Sequence, residues 1–536
     1  MIDALPWIIA AITVAVFLPA LGNGFVNWDD DVNFLENHNY RGLGLSNLKW
    51  MWSTFQMGHY HPLTWMTLGF DYEVWGMNPV GYHLTSVLLH ALAAAMAYLA
   101  FVQLIRLGRR EDEPSQETRY GAAFGALVFA LHPLRVESVA WASERRDVLC
   151  GVFYLATIWL YLRGRKAASA VTFAAALLSK VIAATLPVVL LILDLYPCRR
   201  RLTPKLLLEK LPFFALAVAA VVIGVGRYEN GVPGAVGHEY FHGALRIALS
   251  LFGLAFYLGK TLAPIGLSGQ YVYNADPQPF DTPFVLAAAG FGMLSISALW
   301  FRKRCPFLLA ALAAYCVTLA PVLSFIRLDR QNYVADHHSY LATLGFAAIA
   351  GALLVRRNRP AWVAGSVVAV LGLLSVLQIP VWKDSRTLWT HTIEGMPLSM
   401  VAHNNLARVY AAEGDSERAV EEFQRAIAIR PDYAHAHYNL ALVLMKRGDL
   451  PAAESHFEQA AAGLRSTQTL TDWANCLLRQ QRAQEAVELY QEAIHASPGF
   501  ADAHHNLGVA LEYLGHHEAA QQHYRKAAEL ERRKSG

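Results

Sequence analysis

The sequence predicts an all-α protein in two parts: a polytopic membrane helix bundle of about eleven spans, followed by an α-solenoid of short helical repeats. Three observations carry that prediction. The 536 residues are 55% hydrophobic and only 16% charged, with a mean hydropathy of +0.27, whereas soluble domains carry about 25% charged residues. The shortage of charge is confined to the chain up to about Trp382, beyond which Ala, Glu, His and Gln dominate. From about residue 400 the sequence repeats itself with a period close to 34. The organisation that follows is a transmembrane domain at 1–382, a linker at 383–399 and about four repeats at 400–534.

Apolar runs near the ~20 residues that cross a bilayer fall roughly at 5–22, 82–104, 119–133, 147–163, 167–180, 182–197, 211–226, 283–301, 306–323, 338–355 and 361–381. The first lacks a basic leader and carries Asp3, so it reads as a retained span rather than a signal peptide. A further candidate lies at 244–264. Lys and Arg concentrate at 106–111, 163–166, 198–205, 301–304 and 356–359, which marks these five segments as cytoplasmic. With the N-terminus inside, all five are satisfied only if 244–264 does not cross, and lies as a re-entrant or interfacial helix broken near Pro264 and Gly266. The first loop (23–81), the loop 134–146, the junction at Ser179–Val181, the segments 227–243 and 324–337, and the C-terminal domain then share the non-cytoplasmic face. A net charge of +3 without a long basic run argues against nucleic acid as a partner. Five cysteines without paired spacing indicate neither a disulfide framework nor a zinc site.

In the C-terminal part, Asn405-Leu406-Ala407, Tyr410, Gly414, Ala419, Phe423, Ala426 and Pro431 recur as Asn439-Leu440-Ala441, Leu444, Gly448, Ala453, Phe457 and Ala460. They return as Asn506-Leu507-Gly508, Leu511, Gly515, Ala520, Tyr524 and Ala527, with a weaker copy between at Trp473-Ala474, Ala486, Tyr490, Ala493 and Pro498. Small residues where two helices touch, large ones filling the gap and Gly or Pro at the turns resemble the tetratricopeptide pattern. Such arrays stack into a solenoid whose concave groove takes extended peptides. The histidines there (His403, His435, His437, His504, His505, His516, His517) show no consistent ligand pattern for a metal.

Chemistry is sought on the non-cytoplasmic face. The first loop opens with "FVNWDDD", which sets Asp29, Asp30 and Asp31 at the membrane edge. Trp50, Trp52, Trp65 and Trp75 farther on suit a helix lying at the interface. The acids read as a solvated tip, as a metal site needing more ligands such as His59 and His61, or as a general base whose pKa is raised by desolvation and by its neighbours. The second loop supplies Glu137, Arg145 and Asp147, with Arg145 available to an incoming phosphate. Lys180 interrupts two apolar runs and suits an anionic lipid headgroup, the alternative being a side chain that snorkels to the interface. Arg327, Asp329, Arg330, Asp336, His337 and His338 precede a late span. Together these fit a polyprenyl-phosphate-linked sugar donor, with its chain in lipid, its phosphate on Lys and Arg, and its sugar beside a carboxylate that deprotonates an acceptor hydroxyl. Direct displacement inverts the anomeric carbon.

At these residues the chain resembles the membrane-embedded GT-C glycosyltransferases, specifically the transmembrane-and-tetratricopeptide-repeat type related to protein O-mannosyltransferases. The pieces that carry the resemblance are "FVNWDDD", "YHPLTWMTLGFDYEVWGMNPVGYHLTSVLLH", "LHPLRVESVAWASERRDVLCGVFYL", "LLSKVIAATLPVVLLILDLYP", "ADHHSYLATLGF" and the repeats. The resemblance implies an acting Asp in the first loop and transfer of a sugar from a polyprenyl phosphate on the outer side, without a metal or other cofactor. Asp29 and Asp30 match the paired acids, with Asp31 leaving the register open by one. Glu137 matches the second-loop acid, Arg145 and Asp147 its neighbouring pair, and Lys180 the lipid-phosphate lysine. Similar proteins read Asp-Arg-Tyr or Glu-Arg where this chain has Asp336-His337-His338, so Arg330 or a protonated His337 takes the place of a phosphate-binding arginine. The expected partners are the lipid-linked sugar, an acceptor polypeptide in the repeat groove, and the bilayer. The competing readings are transfer to a lipid or cell-wall glycan, and a membrane-anchored repeat scaffold for envelope assembly. Compact loops and Ala-rich spans suit a bacterial inner membrane with a periplasmic site, the alternative being the endoplasmic reticulum membrane.

Overall fold

The computed structural model describes residues 4–225, 243–272, 277–324, 333–356 and 361–535. Every regular element among them is helical. The chain forms an all-α membrane bundle, a compact unit running to His391, and a second unit taking up essentially Thr392–Gly536.

In the bundle, α1 (Leu5–Phe17) continues through a tight turn to Gly22 and is followed by the short first-loop helices α2 (Leu45–Ser53) and α3 (Pro62–Trp75). The central element is α4 (Pro79–Arg109), 31 residues long. Asn78 caps it by accepting from the Val80 N–H, and Pro79 occupies the first turn, where no N–H is needed. Its alanine-rich interior (Ala91, Ala93, Ala94, Ala97, Ala100) is buried, and small side chains let α1, α5 (Gln116–Ala130) and α7 (Arg145–Leu162) pack close around it. The short α6 (Val136–Ala140) lies between α5 and α7. The remaining helices of the bundle are α8 (Lys166–Ser179), α9 (Leu186–Leu195), α10 (Pro204–Leu208), α11 (Leu211–Val225), α12 (Gly243–Leu262), α13 (Thr282–Trp300), α14 (Pro306–Leu319), α15 (Ser339–Ala342), α16 (Leu344–Arg356) and α17 (Ala361–Gln378).

Helices α5 and α16 meet backbone to backbone. A Cβ on Gly351 would sit 2.2 Å from the Gly121 carbonyl oxygen, and one on Gly121 would sit 2.7 Å from that of Gly351. Backbone cannot yield as a flexible side chain does. Gly351→Ala is therefore expected to cost about 1–3 kcal/mol through overpacking, read as a lowered unfolding temperature of the detergent-solubilised chain. Gly365→Ala, where nothing lies within 4 Å of the added carbon, is the control.

Among the described residues, five helices are long and apolar enough to cross a membrane, or up to seven if each bent pair is one span, and four more apolar helices are shorter. The apolar runs match helices less evenly than the eleven expected spans. The run at 182–197 opens in a tight turn at Val181–Thr185 before α9 begins, and Pro133 follows the end of α5, where the axis bends by 57°. The run at 244–264, expected not to cross, forms the unbroken 20-residue α12, which is long and apolar enough to do so. Its break falls after the helix, where Gly266 takes a left-handed conformation (φ +57°). The segment expected as a linker is helical as α18 (Ser385–Gly395). Its first turns belong to the bundle unit. The Gly24 N–H donates to the Lys383 carbonyl (2.7 Å), the Asn27 N–H to Ser385 Oγ (2.8 Å), and the Trp389 indole to Asn27 Oδ1 (2.6 Å).

The second unit stacks four helix pairs, α19 (Met400–Ala412) with α20 (Ser416–Ile429), α21 (Ala434–Arg447) with α22 (Leu450–Gly463), α23 (Thr467–Arg479) with α24 (Ala483–Ala496), and α25 (Ala501–Tyr513) with α26 (His517–Ser535). Asp415 and Asp449 cap the second helix of the first two pairs by accepting from the N–H groups of Arg418 and Ala452. The turns at Gly414, Gly448 and Gly515 are left-handed, and in the third pair Gln481 adopts that conformation (φ 64°) without glycine. The repeated small and aromatic residues, Ala419 with Phe423, Ala453 with Phe457 and Ala486 with Tyr490, are buried between the helices.

Candidate active site

Asp29 and Asp30 lie between the end of the α1 extension and a wide helical turn at Asp31–Leu35. They face different surroundings. Asp30 is fully buried and accepts hydrogen bonds from the Val26 N–H (3.0 Å), the Ser143 N–H (3.0 Å) and Ser143 Oγ (2.6 Å). It pins the first loop to the second. Asp29 lines a cavity with Asn33, Phe34, Gln56, Met57, His59, His61, Thr64, Trp65, Leu68, Ser143 and Arg146. Burial pushes its carboxyl up to about 7; Arg146 draws it down, and Glu144, Asp30 and Asp31 push it farther up. Burial also lifts Asp30 to about 7, against its three hydrogen bonds. Asp31 turns away, its Oδ1 accepting from the Val32 N–H (3.0 Å).

Across the cavity, His61 is buried and stacked on Trp65 (5.3 Å between ring centres). Burial, reinforced by Arg146 and Lys180 against Glu144, lowers its pKa to about 3, so the ring is neutral. Among the described residues no group of three His, Cys, Asp or Glu is arranged to hold a metal ion.

The second loop supplies the positive charge through one carboxylate. Glu144 Oε1 takes Arg146, including Nε at 3.0 Å, and Oε2 takes Lys180 Nζ at 2.8 Å. Burial works against the ionisation of Glu144, but Arg146, His337 and Lys180 outweigh it and hold its carboxyl well below the usual range. Lys180 also donates to Asp147 Oδ1 (2.6 Å), whose other oxygen accepts from Ser138 (3.1 Å). Beside this cluster, the His337 backbone N–H and Nδ1 both meet the buried Glu137 carboxylate (3.0 and 2.9 Å). His337 Nε2 lies 3.9 Å from Glu144. Asp336 is buried and accepts from the Tyr271 hydroxyl (2.9 Å). Trp141 packs on His337 and stacks on Trp382 (5.3 Å, 19°).

The residues singled out from the sequence are therefore only partly gathered. Asp29, His59 and His61 share the cavity, and Glu137, Asp147, Lys180 and His337 form the adjoining polar cluster. Arg145, expected to meet a phosphate, does not face that space. It is fully buried, ion-paired with Asp71, and donates to the carbonyls of Tyr82 (2.5 Å) and Thr67 (3.4 Å) and to Ser86 Oγ (3.3 Å). Consecutive helical residues point about 100° apart, so only one of the two arginines in "SERRD" faces the cavity, and it is Arg146. Arg330 lies outside the described residues. Sequence reasoning missed Arg146, Glu144, Ser143 and Asp71. The signal was present as four charges in five residues within an apolar stretch.

Residues 407–448 match the family described as TPR repeat, and residues 489–522 the tetratricopeptide repeat. The chain is 32% identical over 162 residues to "Protein O-mannosyl-transferase Tmtc1" of Drosophila melanogaster, covering 29% of this chain and 18% of the relative. It is 32% identical over 111 residues to "Protein O-mannosyl-transferase TMTC4" of Homo sapiens (19% and 14%). Against "Protein O-mannosyl-transferase F38B6.6" of Caenorhabditis elegans it is 26% identical over 168 residues (30% and 23%). The chain thus spans less than a quarter of the length of these curated relatives. Among solved structures it is similar to the crystal structure of MamA, at 21% identity over 28% of this chain and 89% of that one, with a TM-score of 0.27. The chain carries tetratricopeptide repeats behind an all-α membrane bundle, and over part of its length it is similar to the transmembrane-and-tetratricopeptide-repeat protein O-mannosyl-transferases.

Proposed function

We propose that this chain is a membrane glycosyltransferase that moves a sugar from a polyprenyl-phosphate donor to a Ser or Thr hydroxyl of a protein. The observation that carries the reading is Asp29, a carboxylate with an elevated pKa that looks into a cavity also lined by a cation. The acceptor oxygen attacks the anomeric carbon as the bond from that carbon to the phosphate oxygen breaks. The hydroxyl proton passes to Asp29, and the polyprenyl phosphate leaves with its charge met by Arg146 and Lys180 and no metal ion. A single displacement inverts the anomeric carbon. The names of the similar proteins support a protein acceptor, and the repeats supply the groove that holds it. The site faces away from the cytoplasm, in our reading the periplasmic side of a bacterial inner membrane.

The test is transfer of radiolabelled sugar from a polyprenyl phosphate to Ser/Thr-containing polypeptides by the reconstituted chain. Because the base acts deprotonated, kcat/KM is expected to rise with pH and reach half its plateau near pH 7. Arg146 holds the Asp29 carboxyl down, so Arg146→Gln moves this limb to higher pH. Transfer that does not change between pH 5.5 and 8.5 would remove Asp29 from the reaction.

A further inference from the structure

One position of the solenoid carries histidine in three of its four repeats, His403, His437 and His504, with Leu470 in the third. In each case Nε2 meets the carbonyl of a proline six residues earlier: Pro397 at 3.2 Å, Pro431 at 2.9 Å and Pro498 at 3.2 Å. A carbonyl only accepts, so Nε2 carries the hydrogen, and in a neutral ring Nδ1 is left as an acceptor. The partner of Nδ1 differs between repeats. In the first it is a carboxyl oxygen, Glu422 Oε2 at 2.6 Å, which can share a hydrogen with Nδ1 without two N–H groups meeting. In the second and fourth it is another imidazole: His456 Nδ1 at 2.9 Å from His437, and His523 Nδ1 at 3.0 Å from His504.

Each imidazole pair holds one hydrogen between its two Nδ1 atoms. One further proton can enter at the outer nitrogen of His456 or His523. A second has no place, because two N–H groups would then point at each other across about 3 Å with both rings charged. His437 and His504 are buried, and burial together with the facing ring pushes His456 and His523 below the ordinary histidine value. Many of the charged groups on the packed helices have partners of their own. Glu422 holds Arg425, Arg430 meets Asp432, Glu454 takes Arg482, Glu492 takes Arg465, Glu512 accepts from Tyr524, and Glu529 takes Lys526 and Arg533. Arg408 acts on His435.

We propose that the second and fourth repeats are acid-released: double protonation of His437–His456 and of His504–His523 loosens their helix pairs, while the first repeat, closed by His403–Glu422, holds. Binding of the last proton is disfavoured in the folded state. The stabilisation is thus complete above the ordinary histidine pKa of about 6.5 and is lost as pH falls below it. The solenoid then changes from four ordered repeats to an array with two weakened ones, which regulates how firmly it presents its groove.

Hydrogen exchange on the full chain in nanodiscs tests this. After correction for intrinsic rates, protection in α21–α22 and α25–α26 is expected to fall at least about tenfold between pH 7.5 and 5. Protection in α19–α20 and α23–α24 is expected to stay level over the same range. The double variant His456→Glu with His523→Glu copies the His403–Glu422 arrangement and should abolish the fall. Equal losses in all four repeats, or a fall that persists in the double variant, would overturn the proposal.

Discussion

If the proposed mechanism holds, Asp29→Asn is expected to lower sugar transfer by a factor of about 10²–10⁴, the usual worth of a general base, and to leave the unfolding temperature unchanged. The carboxylate looks into the cavity, and among the described residues no side-chain hydrogen bond ties it to the fold. Asp30→Asn behaves in the opposite way. The Asp30 carboxylate accepts from two backbone N–H groups and one hydroxyl in a buried setting. An amide turns one acceptor into a donor that faces donors, which costs about 1–3 kcal/mol for the group left unsatisfied. Asp30→Asn is therefore expected to lower the unfolding temperature, and to lose activity through misplacement of the first loop. Measuring transfer and thermal unfolding on both variants separates a base from a tie. If Asp30→Asn alone abolished transfer at unchanged stability, the roles would be reversed.

The largest expected effect on stability lies at Arg145 and Asp71, an ion pair with no exposed side-chain area. Removing one partner leaves the other charge buried and uncompensated, at about 3–5 kcal/mol. Asp71→Ala and Arg145→Met should each bring the detergent-solubilised chain close to unfolding. The paired substitution Asp71→Leu with Arg145→Met should recover most of that loss, because a matched apolar pair in such a site is often neutral. Recovery is incomplete, since the carbonyls of Tyr82 and Thr67 still lose a donor. A double variant no more stable than the singles would mean that the guanidinium serves those carbonyls more than it serves Asp71.

These two cases mark how far the sequence could be read. Helix content, the change of composition near Trp382 and the period of the repeats follow from local pattern, and they return as the bundle and the stacked helix pairs. The location of an acidic centre in the first loop was legible too, because three adjacent aspartates stand out beside an apolar run. The division of labour among the three was not. It depends on Ser143, 113 residues away from Asp30, and no local pattern encodes which carboxylate meets it. The same holds for "SERRD", where composition offers two equivalent arginines and only the facing of α7 sends Arg145 to Asp71 and Arg146 to the cavity. The run at 244–264 was read through loop charges, which gave no measure of the uninterrupted helix that α12 forms.

The contacts from Lys383, Ser385 and Trp389 to Gly24 and Asn27 also decide where this molecule can be divided. Hydropathy alone would cut just past the last apolar residue, and such a fragment would discard the three bonds that brace the segment immediately before Asp29. The bundle's own boundary thus takes in the first turns of α18, and a faithful membrane-domain fragment carries its chain through His391.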